Sequence, residues 1–555
     1  MIVTVLDISG ETEPTPSAQR QPLLLESLPI EIINQMLVQC FKTSEGRARS
    51  RFPADIQSLS RQFQNISLEL PEIWAYLRIS YDSTMLKINL RVRRSRNRPL
   101  EVEITSRWSE PYLDEGPGSY SHGEASTPDE SFYLVEHLRN IKYGAMLQEV
   151  YQILAPRTNR IVSLDVQEYP NYKPIVSPNN FIGFFNSNFW PVLQSCSYHG
   201  DYLSGYPIDH HTDFSLPPDR FPSIIRLRLY GTVFRGPLST NITELHVSFC
   251  LTPYPVGLAC FRQLPHLERL FIDSGFERIP ANSVDDALQS HGPPCHLLNL
   301  QVLSMRLSHW TALCMLLCFL QTPNVRHVVI RLSSKSRYGP NLGIAFGGRA
   351  WSQVRLPGLC TLELRDGAIP RDNLLSFLTH MPSSLTRLIF ADDPGEGLVD
   401  ISGSNNSPLL LHPDLAGLRG ELISIRFRCT PAPDILSLVR DGGCTKLTSI
   451  VLDIGSSTFH PALGSWEDFK KHSRAIGAIR QLEGVDVELR TANHREIRPS
   501  RYGYQGDRYV DEEHWKEHFP DELQWARQWE DLRPHTDFRQ PVFYSSLFPF
   551  RYVFC

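Results

Sequence analysis

The chain has 555 residues, 41% of them hydrophobic and 21% charged, and a formal net charge of −5 at pH 7. This length allows one large core or several, and the negative charge excludes a global field that attracts nucleic acid. The 42 prolines favour many short elements, and the eleven cysteines include no Cys-x-x-Cys pair. We therefore expect reduced thiols in a cytoplasmic or nuclear protein. The longest apolar run, 313–320, is far too short for a membrane span.

Residues 1–22 are polar and rich in proline, which predicts a disordered tail. The following segment, LESLPIEIINQMLVQCF, has Ser27 as a cap and Pro29 in the first helical turn. Its apolar residues recur at helical spacing and predict one apolar face over 28–40. These residues are Ile32, Ile33, Met36, Leu37 and Cys40.

A second helix is predicted from about 53 to 70, because apolar residues repeat there at spacings of three or four. LPEIWAYLRIS follows, in which a proline ends the helix and an apolar strand begins. Helices this short bury little surface by themselves. The segment therefore needs a partner protein or a neighbouring domain.

The strings LPIEII, LSRQFQNIS and LPEIWAYLRI, in this order, resemble an F-box and its exit segment. Ser60 and Phe63 stand where F-boxes often have Cys and Trp, and TSEGRARSR is expected to lengthen the inter-helix loop. The resemblance assigns 23–80 to an F-box-like helical module. It implies docking onto the Skp adaptor of Skp–cullin–F-box ubiquitin ligases. The implied adaptor-binding residues are Leu28, Pro29, Ile32, Ile33, Met36, Leu37, Leu59, Phe63 and Ile66.

Residues 81–160 are predicted to form a linking α/β segment. STMLKINLRVRRSRNRPLEVEIT indicates a helix with a basic end and then a strand opened by Pro99. This unit is similar to one that follows the F-box in fungal F-box proteins with irregular leucine-rich bodies. Residues 106–131 are predicted to be a mobile insertion. The basic runs 47–51 and 91–98 have no aromatic stacking set beside them, so no nucleic-acid partner is expected.

From residue 161 a pattern apolar-x-x-apolar-x-apolar occurs twelve times, with starts 18 to 37 residues apart. Its second and third positions alternate as a one-faced strand requires, and helical stretches such as RDNLLSFLTHM and APDILSLVR lie between copies. Strand, turn and helix at this period are typical of leucine-rich repeats. We predict an irregular leucine-rich-repeat solenoid over 161–490, with a concave parallel sheet and convex helices. The triplets begin at Ile161, Leu193, Ile224, Ile242, Leu267, Leu300, Val325, Leu359, Leu385, Leu422, Leu447 and Leu482.

Residues 491–555 are rich in aromatic residues and are predicted to cap the last repeat, with part of a partner site as the alternative. No Walker loop, Gly-x-Ser-x-Gly or dinucleotide motif is present. His514 and His518 share a predicted helix face, which we interpret as polar surface and not as a metal site. The sequence thus predicts no catalytic residue, no cofactor and no metal.

The repeats predict an α/β protein, and the F-box resemblance implies that it is a substrate-recognition subunit of a ubiquitin ligase. The helical module would hold the adaptor and cullin complex, and the concave sheet face would hold a client protein that the sequence does not name. One alternative is a repeat-protein scaffold whose front helices only cap the solenoid, in which case Ile33 and Leu37 are buried within the chain. Another is a hydrolase with His, Asp and Ser clustered at one end of the sheet.

Overall fold

The structure is a computed structural model, in which the described residues up to Ile242 belong to one compact unit and those from Thr243 to a second. The predicted tail, the insertion up to residue 129, His514, His518 and the cap beyond Thr491 lie outside the described residues. The described residues are 28–80, 83–105, 130–167, 179–199, 216–230, 237–248, 260–274, 294–307, 310–332, 354–365, 371–391, 409–428, 432–441, 443–454, 474–475, 477–479 and 481–491.

The first unit begins with three helices and a short 3-10 helix, which we call the N-terminal helical module. They are α1 (Ile30–Thr43), α2 (Gly46–Leu59), α3 (Arg61–Glu69) and the 3-10 helix Pro71–Trp74.

The helix predicted over 53–70 is therefore wrong in its bounds, because it is two helices. The segment expected to be a long loop forms the first turns of α2 instead. Gly46 adopts a φ of +48°, which favours glycine and turns the chain into α2 early. Ser60 is extended between α2 and α3, and its hydroxyl accepts a hydrogen bond from the Phe63 N–H at 3.4 Å.

Five parallel strands follow in chain order in the first unit, and each pairs with the next. They are β1 (Tyr76–Ile79), β2 (Leu100–Thr105), β3 (Ile161–Gln167), β4 (Ser195–His199) and β5 (Arg226–Tyr230). The predicted basic helix and the strand after Pro99 are present as α4 and β2. Between the strands lie α4 (Met85–Arg94), α5 (Glu130–Leu154), the 3-10 helix Ala155–Arg160 and α6 (Asn179–Ser187).

The second unit has a parallel sheet of nine strands, again in chain order. They are β6 (Glu244–Ser248), β7 (Arg269–Ser274), β9 (Val302–Leu307), β11 (His327–Leu332), β12 (Thr361–Arg365), β13 (Arg387–Ala391), β14 (Ser424–Arg428), β15 (Ser449–Ile454) and β16 (Asp486–Thr491). A separate parallel pair joins β8 (Cys295–His296) to β10 (Leu320–Gln321).

The helices of the second unit lie between these strands. They are α7 (Trp310–Phe319), α8 (Arg371–Thr379), α9 (Ala416–Glu421), α10 (Ala432–Asp441) and the 3-10 helices Cys260–Gln263, Leu409–Leu411 and Pro413–Leu415. Residues 474–475 and 477–479 are also helical. Two of these helices, α8 and α10, coincide with the stretches RDNLLSFLTHM and APDILSLVR that the sequence predicts to be helical. No helix among the described residues is both long enough and apolar enough to cross a membrane.

The predicted apolar triplets form the hydrophobic rows of both sheets. Within each unit, eleven of the twelve occupy matching register on neighbouring strands, as Leu362 opposite Leu388 shows. The last triplet was placed two residues too early, because Ile450 pairs with Val487 and not with Val485. Val485, just before β16, alternates in sequence with Val487 and Leu489 of β16, so the pattern alone fits two registers that differ by two residues.

A recurrent hydrogen bond ties five of the repeats to the one before. The residue that precedes the first apolar position donates its side chain to a backbone carbonyl of the previous repeat. The bonds are Ser223 to Pro191, Asn241 to Pro222, Asn299 to Pro265, Asn324 to Leu298 and Ser384 to Pro357, at 2.6–2.9 Å. At this position Gly358 has no side chain, and a Cβ atom would lie 2.9 Å from the Pro323 carbonyl oxygen. Glycine there permits a close approach of the two repeats.

Each sheet has two unlike faces. The core face carries the apolar triplets, and α6 covers part of it in the first unit, where the Phe181 ring stacks on Tyr198 with centroids 5.2 Å apart. The polar face carries the alternating residues, which are mostly charged or hydroxylated. In parallel sheets, residues in register on neighbouring strands lie about 4.8 Å apart. The polar face is therefore a grid of side chains whose neighbours follow from the register.

Candidate protein-docking site

The nine residues predicted to bind an adaptor fall into two groups in the structure. Four are buried within the N-terminal helical module, where they pack against each other and against Ile56. These are Ile33, Leu37, Phe63 and Ile66. The other five are partly or largely exposed: Leu28, Pro29, Ile32, Met36 and Leu59. The expectation that all nine present one open apolar face is thus wrong for the buried four, since they form the core of the module itself.

Two apolar stripes lie side by side along α1. Ile33, Leu37 and Phe41, each four residues apart, form the buried stripe. Ile32, Met36 and Cys40, each one residue earlier, form a neighbouring stripe that reaches solvent. Ile32 is 43% exposed, whereas Ile33 is 1% exposed. The second stripe is therefore available to an outside partner, and the first is not.

Two further apolar side chains of the module reach solvent that the sequence reasoning did not select. Ile30 is exposed at the start of α1, and Leu68 is exposed near the end of α3. Leu59, at the end of α2, is 57% exposed. Ile30 stands beside Pro29 in LPIEII, the string that resembles the start of an F-box, so the sequence does indicate it. Its position along the helix, however, groups it with the buried stripe.

Arg49 of α2 joins the module to the first sheet. Its guanidinium forms two hydrogen bonds to the Glu101 carboxylate of β2, at 2.6 and 2.9 Å. The same group lies 4.6 Å from the Phe41 ring centroid and 4.7 Å from that of Tyr76. An arginine held by a bidentate carboxylate and two rings is firmly oriented. This part of the basic run 47–51 therefore has a structural role.

The basic end of α4 makes the second connection between the module and the sheet. Arg91 donates to the Tyr76 carbonyl at 3.0 Å and also to the Ser50 carbonyl. Arg94 lies over the Trp74 ring at 4.4 Å. Burial lowers the pKa of Arg91, but the group still donates to two main-chain carbonyls. These two arginines of the run 91–98 therefore serve the fold.

The polar face of the first sheet brings together the residue types that the hydrolase alternative requires. His199 Nε2 lies 3.0 Å from Ser197 Oγ, and the imidazole stacks on Tyr230. Asp165 is in register with Ser197 on the next strand. Burial raises the pKa of the Asp165 carboxyl to about 6, Glu103 adds to the rise, and Ser197, Gln167 and Arg228 oppose it. Ser197 lies between Asp165 and His199 in this group. In a hydrolytic triad, by contrast, the imidazole lies between the carboxylate and the hydroxyl.

The polar face of the second sheet carries ion pairs between neighbouring strands. Glu244 of β6 is buried and contacts Arg269 of β7 at 2.8 Å and His246 at 3.1 Å. The His246 ring stacks on Phe271 with centroids 4.0 Å apart. Farther along the sheet, backbone register places Arg306, Arg331 and Arg365 side by side on β9, β11 and β12. This sheet therefore presents a patterned and strongly charged surface.

Within the described part of the chain, no group of three or more His, Cys, Asp or Glu residues is arranged to hold a metal ion. A scan against models of known protein families finds no family that matches this chain, and a search of curated proteins finds no match. The function must therefore be argued from the residues and their geometry alone.

Proposed function

We propose that this chain is a substrate-recognition subunit of a Skp–cullin–F-box type ubiquitin ligase. The N-terminal helical module docks the Skp-type adaptor, and the sheets form an irregular leucine-rich-repeat solenoid that holds a client protein. The chain itself carries no catalytic step, and the ubiquitin chemistry belongs to other subunits.

The observation that carries the proposal is the second stripe of α1. A helix that buried all of its apolar residues would need no partner, but α1 leaves Ile32 and part of Met36 in water. Leu59 at the end of α2 is also largely exposed. Apolar residues that stay exposed on an otherwise packed module indicate a contact surface for another protein. All three residues belong to the set that the F-box resemblance implies.

The client site is supported by the polar face of the second sheet. Parallel strands lie in chain order, and side-chain hydrogen bonds from Asn299, Asn324 and Ser384 join three of the repeats to the one before, which agrees with a stacked repeat body. Its polar face carries partly exposed charged residues, such as Arg306 and Asp273, and partly exposed apolar positions such as Ile389. A surface of this kind offers both charge matching and apolar contact to a protein ligand.

The test is co-purification of the full-length chain with a Skp-type adaptor and with the cullin. We expect the adaptor to bind the wild-type chain and Ile32→Asp to reduce the affinity at least 100-fold, because the contact would bury a carboxylate. Ile423→Asp is the matched control, since Ile423 has the same side chain and is 42% exposed, but lies outside the module. Equal adaptor binding by both variants, or none by the wild type, would contradict the proposal.

A second candidate function is a repeat-protein scaffold whose front helices only cap the sheet. It is favoured by the burial of Ile33 and Leu37 and by the Arg49–Glu101 contact, because these bind the module to its own chain. A cap predicts no adaptor binding and no change on Ile32→Asp. The same co-purification therefore separates the two functions.

A further inference from the structure

Helix α4 carries two leucines on the side that faces away from its own core. Ile88 and Val92, four residues apart, form the buried stripe of this helix. Leu86 and Leu90 stand two residues from these positions, which in a helix is the opposite side. Leu86 is 79% exposed and Leu90 is 40% exposed. The most solvent-facing line of α4 is therefore apolar, which neither intrinsic folding nor solubility requires.

Basic side chains border the two leucines on both sides. Arg93 is three residues beyond Leu90, and Lys87 is three residues before it, so that both lie next to the apolar line. Both are exposed. Arg91 and Arg94, in contrast, point to the protein and hold α4 against the module and Trp74. Arg91 and Arg94 thus hold the helix in place. Lys87 and Arg93 give its exposed leucines a positive border.

The positive charge of this border indicates what kind of partner can bind to the exposed leucines. A second copy of the chain would bring the same positive residues together across a two-fold axis, which is unfavourable. A partner with acidic residues on either side of an apolar line would match both features at once. Two leucines four residues apart are the spacing at which one amphipathic helix packs along another.

We propose that the exposed leucines of α4 dock an acidic amphipathic helix of a partner protein, with Lys87 and Arg93 pairing with its acidic flanks. The proposal goes beyond the adaptor contact of α1 and α2, and it does not depend on whether that contact exists. It adds a second recognition element, which has a positive border, on the same unit of the chain.

The test measures binding of fluorescein-labelled synthetic helices to the full-length chain by anisotropy. One peptide has a leucine line flanked by glutamates, and its matched partner has lysines in place of every glutamate. We expect the acidic peptide to bind at least ten-fold more tightly than the basic one. We expect Leu86→Ser together with Leu90→Ser to weaken it at least ten-fold, whereas Leu298→Ser, at a site 57% exposed elsewhere, leaves it unchanged.

A charge-reversed variant keeps the test decisive even if the leucine variants fold poorly. Lys87→Glu with Arg93→Glu is expected to lose the acidic peptide and to gain the basic one. Circular dichroism checks that each variant is folded. Equal binding of both peptides by the wild type, or no reversal in the charge variant, would overturn the proposal. Binding to phosphatidylserine vesicles with no binding to either peptide would also overturn it and would indicate a membrane surface instead.

Discussion

Ile32 and Ile33 are neighbours in α1, yet one is 43% exposed and the other 1%. In β12, Leu362 and Glu363 are also neighbours, and there the apolar residue lies in the core row and the polar one on the polar face. Among the described residues, six of the nine large apolar side chains that are exposed lie between Ile30 and Leu90. The repeats expose only Phe189, Leu298 and Ile423 among their described large apolar side chains, whereas the much shorter module and α4 expose six. This difference is the basis for proposing the apolar docking surfaces of the module and of α4.

The first test of this comparison removes a fully buried side chain from the repeats. Trp190 is fully buried between α6 and β4, and its indole N–H donates to the Phe185 carbonyl at 2.9 Å. We expect Trp190→Ala to lower the free energy of unfolding by about 3–5 kcal/mol, because it leaves a cavity and removes this bond. Denaturant unfolding followed by circular dichroism measures the loss.

The control for Trp190→Ala is its neighbour Phe189, which is exposed. Phe189→Ala should change the free energy of unfolding by less than about 0.5 kcal/mol. Similar losses in the two variants would show that this part of the first unit is not packed as described.

The second test concerns the polar face, where burial opposes a charge. The pKa of Asp165 is raised from 3.8 to about 6 in the folded chain. Between about pH 4 and pH 6 the unfolded chain ionises at this residue while the folded chain keeps its proton, so stability falls as the pH rises. Above pH 6 the lost stability is on the order of 3 kcal/mol.

Asp165→Asn removes this titration and retains the shape of the side chain. We expect the variant to be more stable than the wild type at pH 7.5 and equally stable near pH 3.5, in unfolding experiments at a series of pH values. An Asn variant that is less stable at pH 7.5 would mean that the ionised carboxylate supports the fold.

The strand repeats could be predicted from the sequence almost completely. Residues that alternate along a strand must point to opposite faces, so the triplets determine both the buried row and the register. Eleven of twelve triplets are confirmed, and the failure at β16 arose where Val485, Val487 and Leu489 fit two registers. The pattern does not reveal the bonds that Asn241 and Asn324 make to the previous repeat. Those bonds depend on the distance between repeats, which no local pattern contains.

The helices could be predicted only in part. A helix of the module can bury any part of its circumference, and the part it buries depends on what surrounds it. The sequence therefore placed Ile32, Ile33, Met36 and Leu37 on one face, whereas the fold divides them between core and solvent. The sequence predicts a helix that starts at about Pro53, whereas α2 carries Pro53 inside, because Gly46 allows the helix to begin earlier. Adaptor binding by the exposed residues stays a prediction.

A third test measures how strongly the Arg49–Glu101 ion pair holds the module to the first sheet. Arg49 and Glu101 are half-buried and joined by two hydrogen bonds. We expect a double-mutant cycle with Arg49→Met and Glu101→Gln to give a coupling free energy of about 1 kcal/mol. Because charge screening weakens exposed ion pairs, the coupling should decrease in 1 M salt. No coupling at low salt would show that the module is held to the sheet by apolar contacts alone.

The fourth test has the smallest expected effect on stability, and it asks whether the second stripe of α1 is a contact surface. We expect Ile32→Ala to change the free energy of unfolding by less than about 0.5 kcal/mol, because much of this side chain is already in contact with water in the folded chain. Ile33→Ala, one residue away, should cost about 2–4 kcal/mol, since it removes buried methyl groups from the module core. If Ile32→Ala proved as costly as Ile33→Ala, Ile32 would be needed by the fold and could not be reserved for a partner. If Ile32→Ala leaves stability intact and still weakens the adaptor contact, the fold does not need this side chain, and binding by the partner explains its place on the surface.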